Sequence, residues 1–293
     1  MNDTIRVMVC YLFTAFIISL QQIFVLLGPG LLLALLMNYL AGFVQKRSYS
    51  LMGSKIYLGL FGWLGTMIHE LGHAVFCVLF RHRINKMRLF SFNPNSDKLG
   101  YVNHSYNPNR IYQVIGNFFI GIGPILFGSV VIYGLSHLLL RSDILQSIAA
   151  LRIQSTEAGV WEYSLQAIAV VWNGVRTLCM GLFTGENLTD WRLYLFLYVV
   201  FCIGSSITLS PADMKGAGRG LGAFVAVFFL FNIVTYWIID DDLTEVFRFF
   251  TRYYSFFYTT MLLAITLNVM ASIALLLISI LSKRAAAASI RLS

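Results

Sequence analysis

Ile68-His69-Glu70-Leu71-Gly72-His73-Ala74 lies inside an apolar run from Ile56 to Phe80. The run predicts one helix over 56–80. Residues four apart share a helix face, so His69 and His73 can close on one metal ion. Glu70 sits at the edge of that face, where it can hold or deprotonate a water on the metal. These residue types at this spacing suit one catalytic zinc. Two imidazoles and a carboxylate are costly in an apolar segment of membrane length, which marks the stretch as functional.

The rest of the chain suits such a medium. It has 293 residues, 58% hydrophobic and 12% charged, against a charged share of about a quarter in soluble domains. The class is an all-α polytopic membrane protein, and the length suits a single domain over 1–293 with six or seven spans. The net charge of +8 does not indicate nucleic acid, because the basic residues are spread over inter-helix loops, as orientation by cytoplasmic Lys and Arg produces. Cys10, Cys77, Cys179 and Cys202 lie in apolar stretches without CxxC spacing, and read as small buried residues. The first apolar run is too long for a cleavable signal peptide and has no clear small-residue cleavage site.

N-terminal to the motif, Val7–Val44 is apolar apart from Gln21-Gln22 and Gly28-Pro29-Gly30. One span needs ~20 residues, so the segment is either a helical hairpin turning at Gly-Pro-Gly or one long helix kinked there. Within 56–80, Gly62, Gly65 and Gly72 stand at a spacing that lets neighbouring helices approach closely. C-terminal to the motif, Ile84–Phe92 and Leu99–Tyr106 read as two strands around a turn-rich Asn93–Lys98, a hairpin over 84–106. Ile111–Leu140 is the next span, and Gly123-Pro124 at its centre predicts a kink or an opening beside a cavity. Residues 141–190 are a mixed, acidic, interfacial region. Spans then follow at Trp191–Leu209, Leu221–Ile239 and Tyr254–Leu281, with a basic tail.

Charge orients these segments. The six basic residues of Arg81–Arg110 belong in the cytoplasm, and Asp143, Glu157, Glu162, Glu186 and Asp190 then fall outside. Lys46, Arg47 and Lys55 run against the pattern, which leaves the N-terminal topology open. A catalytic zinc needs a third protein ligand and one open position. The extended HExxHxxGxxH form is excluded by Phe76 and Leu79. Glu157 and Glu162 belong to the opposite membrane face. Asp213, just after the Trp191–Leu209 span, falls at the depth of His69 and His73, with Pro211 breaking the local helix so that it can point inward. Its competing role is a helix cap, shared with Ser210. His82, His104 and His137 are expected in loops or at an interface. Asn103, Asn117 and Ser205 are candidate substrate-binding groups, against a packing role for each.

A membrane-embedded HExxH, a following β-hairpin, Gly123-Pro124 in the next span and Asp213 after a later one together resemble the site-2 protease family of intramembrane zinc metalloproteases, over Ile56 to Leu230. The resemblance implies that His69, His73 and Asp213 bind one zinc ion and that Glu70 is the general base. It also implies that the hairpin receives the substrate strand. The chain departs from the family pattern. Ser205 stands where a substrate- or oxyanion-binding Asn is usual, Met214 follows Asp213 instead of Gly, and there is no PDZ insert.

The expected function is hydrolysis of a peptide bond within or near the transmembrane segment of a membrane-protein substrate. The expected location is the cell membrane, with the site toward the cytoplasm. The alternative is a non-proteolytic zinc-binding membrane regulator on the same fold. An ion transporter would bring inverted repeats or paired broken helices, and neither is seen.

Overall fold

The computed structural model describes residues 3–93, 98–140, 169, 172–173, 176–177, 179–207, 209–238, 257 and 260–281. Glu157, Glu162, most of the mixed 141–190 region, the Asp240-Asp241-Asp242 loop and the basic tail lie outside the described residues. So do residues 94–97 of the hairpin turn.

The Val7–Val44 segment is not a hairpin. Helix α1 runs unbroken from Asp3 to Met52 through Gly28-Pro29-Gly30. It ends at Gly53, whose positive φ of 82° turns the chain into α2, Ser54–Tyr57. One π-helical turn, Leu58–Gly62, joins α2 to α3, Trp63–Leu79, which carries the motif. A π-turn releases carbonyls from the regular helix ladder, and Leu60 C=O accepts a hydrogen bond from the Tyr198 hydroxyl.

Helix α3 stops by a Schellman motif. Arg81 N–H donates to Val78 C=O at 3.0 Å and His82 N–H donates to Cys77 C=O at 2.8 Å, with Arg81 in the left-handed region at φ 57°. The chain then enters β1, Arg83–Arg88, which pairs antiparallel with β2, Tyr101–Ser105. The expected hairpin is present with shorter strands. Its register shifts between Ile84 and Lys86, so that His104 faces Ile84 while Asn103 faces Lys86. Such a bulge adds twist and re-aims side chains.

Helix α4, Ile111–Leu139, is the hub, packing chiefly on α3 and on the helix over Pro211–Ile238. Gly123-Pro124 does not open it. Pro124 is inside a continuous, buried helix, and Gly72 of α3 lies directly on it. A Cβ on Gly72 would stand 2.7 Å from Pro124 Cα and 2.9 Å from Gly123 O. Gly65 makes the equivalent approach to helix α5, Trp191–Gly204, where a Cβ would collide with the Cys202 carbonyl and Ser206. Gly62 instead abuts its own Leu58 side chain. The glycine face is thus divided between two neighbouring helices.

Six residues separate α5 from α6, Pro211–Ile238. Helix α7, Thr260–Leu281, closes the described fold. Its Met261, Leu263, Ala264 and Ile265 join the core of Met37, Ile125, Phe196, Val200 and Ile203. Cys77 and Cys202 are buried as expected, Cys179 is partly buried and Cys10 is exposed; all four are free.

The expected six or seven spans reduce to three helices among the described residues that are long and apolar enough to cross a membrane: Ile111–Leu139, Pro211–Val234 and Thr260–Leu281. The apolar helices Ile5–Leu20 and Trp191–Gly204 are shorter. The motif helix α3 has 17 residues because the π-turn interrupts its apolar run. Large apolar side chains such as Leu138, Val78 and Leu230 stay exposed on the outer faces, which suits lipid better than water.

Gly72→Ala places a methyl against backbone that cannot swing aside. It is expected to lower stability by about 1–3 kcal/mol, read as a fall in thermal midpoint in detergent. An unchanged midpoint would mean that α3 and α4 are not in this contact.

Candidate metal centre

Helical spacing brings the His69 and His73 Nε2 atoms to 3.2 Å. Each ring is held from behind. His69 Nδ1–H donates to Ser206 C=O at 3.1 Å, in the α5–α6 connection, and His73 Nδ1–H donates to Ile120 C=O at 2.8 Å, on α4. A carbonyl oxygen only accepts, so both Nδ1 atoms carry the ring proton. In the neutral rings both Nε2 atoms are then bare, with lone pairs converging. Two such lone pairs repel, and a shared proton or a cation relieves them.

Asp213 adds a third donor. Its Oδ1 lies 3.4 Å from His73 Nε2. The three ligand atoms of His69, His73 and Asp213 all fall within 4.8 Å of one another. Tetrahedral zinc with bonds of about 2.0–2.1 Å sets its ligands about 3.3 Å apart. Imidazoles whose Nδ1–H groups donate to backbone carbonyls are the usual supporting arrangement. The donor set and its backing therefore fit one zinc ion and leave a position for water.

Asp213 is placed for both of the roles considered for it, one on each oxygen. Its Oδ2 accepts from Ser210 N–H at 2.9 Å, while Ser210 Oγ accepts from Asp213 N–H at 3.2 Å. This is a reciprocal capping box. Pro211 does not break a helix here. It is the first residue of α6, where its missing N–H costs nothing. Asp213 therefore belongs to the start of α6 rather than to the end of the preceding span, and the cap fixes the carboxylate that turns Oδ1 to the histidines. Gly121 of α4 makes room for it: a Cβ there would lie 2.7 Å from Asp213 C=O.

Glu70 is buried and lines the same cavity of about 660 Å³ as His69, His73 and Asp213. Gly100, at the entry to β2, lies against it: a Cβ on Gly100 would stand 2.6 Å from Glu70 Cγ and 3.0 Å from Oε1. A strand edge thus runs beside the carboxylate.

The other candidates divide. Asn117 and Ser205 line the cavity. Asn117 Nδ2 donates to Val114 C=O at 3.2 Å, and Ser205 Oγ donates to Cys202 C=O at 3.2 Å. Asn103 is exposed, outside the residues that line the cavity. His137 is exposed near the end of α4, its ring against Tyr133. His104, expected in a loop or at an interface, lines the cavity from β2. His82 is buried behind it. The signal for His104 lay in strand alternation: Gly100, Val102 and His104 share one face of a period-2 element.

In comparisons with known proteins, no family model, no curated protein and no solved structure matches the chain.

Purified protein is expected to hold one zinc per chain by elemental analysis. His69→Ala and His73→Ala should abolish it, and Asp213→Ala should lower it. Full zinc occupancy in Asp213→Ala would exclude this carboxylate as the third ligand.

Proposed function

We propose that this protein is an intramembrane zinc metalloprotease that hydrolyses a peptide bond within or near a transmembrane segment of a membrane-protein substrate. The observation that carries the reading is the placement of Glu70. It is a buried carboxylate in the same cavity as two imidazoles whose bare nitrogens converge. Among the described residues the metal cluster offers three protein ligands, whereas a purely structural zinc usually takes four. A regulator that only binds metal has no need of a free carboxylate beside it.

Bound zinc supplies an acidified water and a polarised scissile carbonyl. Glu70 would take a proton from the attacking water and pass it to the leaving amine. His69 and His73 keep their orientation through Ser206 and Ile120, so the site is preorganised before substrate arrives. Burial between α3, α4 and the start of α6 limits competing water.

A transmembrane helix hides its peptide bonds, so the substrate has to unwind. Among the described residues the sheet has two strands, and the edge of β2 away from β1 offers backbone groups to an added strand. Gly100 brings that edge beside Glu70. The lipid bilayer is then both the solvent and the source of substrate. Ser205, in place of the family's Asn, lines the cavity with its hydroxyl proton donated to Cys202 C=O and its oxygen left as an acceptor.

Glu70→Gln is expected to keep zinc and fold while cleavage of a single-span peptide in detergent or nanodiscs falls by at least about 10³-fold, in line with the loss of a general base. Cleavage at the wild-type rate in that variant would overturn the mechanism.

A further inference from the structure

We propose that His104 is a substrate-binding residue of this site, presenting its Nε2 as a hydrogen-bond acceptor to a backbone N–H of the extended peptide. The inference rests on the protease reading and adds a contact on the strand opposite the metal.

The argument begins behind the cavity. His82 Nε2 lies 2.7 Å from Gln113 C=O, so that nitrogen must donate. Neutral His82 then has a bare Nδ1. His104 Nδ1 lies 3.0 Å from it, so His104 donates there and carries its ring proton on Nδ1. Neutral His104 is left with a bare Nε2. That atom has no hydrogen-bond partner among the described residues, and it does not count among the buried polar atoms lacking one. His104 lines the cavity that holds His69, His73 and Asp213.

The two histidine pairs of this protein differ in kind. In His69 and His73 both rings spend their Nδ1 proton on a carbonyl, and the facing nitrogens are left to share a further proton or a cation. In His82 and His104 only one ring does so, and the proton between them completes the pair. The second pair is therefore a tautomer lock. Its output is a bare Nε2 on a residue that lines the cavity.

The fold supports the lock. The Schellman turn at Arg81 swings His82 beneath α4. Gly116 makes room for it, since a Cβ there would lie 2.9 Å from His82 Nε2. Tyr106 stacks on the His82 ring at 5.1 Å. Gln113 closes the corner, donating from Nε2 to Arg81 C=O at 2.8 Å and accepting Asn107 N–H on Oε1 at 2.7 Å. Burial first, then His82 and His73, hold the His104 imidazole below the ordinary histidine range, with Asp213 acting the other way. The ring is thus uncharged near neutral pH and serves as an acceptor.

An extended peptide offers N–H groups at regular intervals. A peptide lying across the cavity from Gly100 to His104 passes Glu70 at one end and His104 at the other. Nε2 can accept from the peptide beyond the cleavage point and fix its register. His104 is the binding residue in this scheme, and His82 is a positioning residue that acts through it.

The test uses the full chain, zinc-loaded in nanodiscs, and a fluorescent single-span peptide with a Gly-Pro break. His104→Phe keeps a ring of similar size and removes the acceptor. It is expected to raise KM, and the peptide Kd measured in a Glu70→Gln background, by about 10-fold, with kcat and zinc content changed much less. His104→Gln restores an acceptor and should recover most of the affinity. His82→Phe should weaken binding by a smaller factor, because His104 can then exchange its ring proton between nitrogens. Nitrogen-15 NMR of labelled histidines should show His104 as the Nδ1–H tautomer in the wild type and as a mixture in His82→Phe. Unchanged peptide affinity in His104→Phe overturns the proposal, as does a His104→Gln variant as impaired as His104→Phe. A wild-type protein that binds the peptide and never cleaves it overturns the protease reading, while the affinity series still decides His104.

Discussion

Two unprotonated imidazole nitrogens facing each other at 3.2 Å are the constraint on which the rest of the site depends. In isolation that geometry is repulsive. It persists because each ring is anchored at its far side to a carbonyl of a different element, Ser206 between α5 and α6 and Ile120 on α4. The motif helix alone can place two histidines on one face. It cannot choose which nitrogens point inward, because the tautomer follows from the acceptors that surround it.

Those acceptors are reached only because backbones come close. Gly72 lets α3 lie on the Gly123-Pro124 backbone, Gly65 lets it lie on α5, and Gly121 admits the start of α6. These contacts bring Ile120, Ser206 and Asp213 to the histidines together. The residues that carry no chemistry thus set the geometry of the histidine pair. Gly100 does the same for Glu70 from the hairpin side.

The second histidine pair follows similar physics with a different result. His82 and His104 come from the end of α3 and from β2, which meet because the chain turns sharply at Arg81. One carbonyl, at Gln113, is enough to decide the protonation of both rings. The cavity is therefore bounded by a face whose neutral rings repel each other and by a face already satisfied by a proton.

The spacing of His69, Glu70 and His73 established the metal-binding face without help from the fold, because helix periodicity is local. The apolar composition established the membrane class, and the turn-rich stretch after the motif established the hairpin, again from local pattern. Asp213 was legible through charge and depth, but its cap and its ligand oxygen were not separable, since both uses suit the same residue type. Packing alone decided the rest. It kept α1 continuous through Gly-Pro-Gly, where the pattern allowed a hairpin, and it put Gly123-Pro124 in contact with Gly72. It placed Pro211 at the start of a helix, because proline stops one helix and starts another with equal ease. It also brought His104 to the cavity and left Asn103 outside it, a difference of one position on a strand whose two faces only the tertiary structure distinguishes.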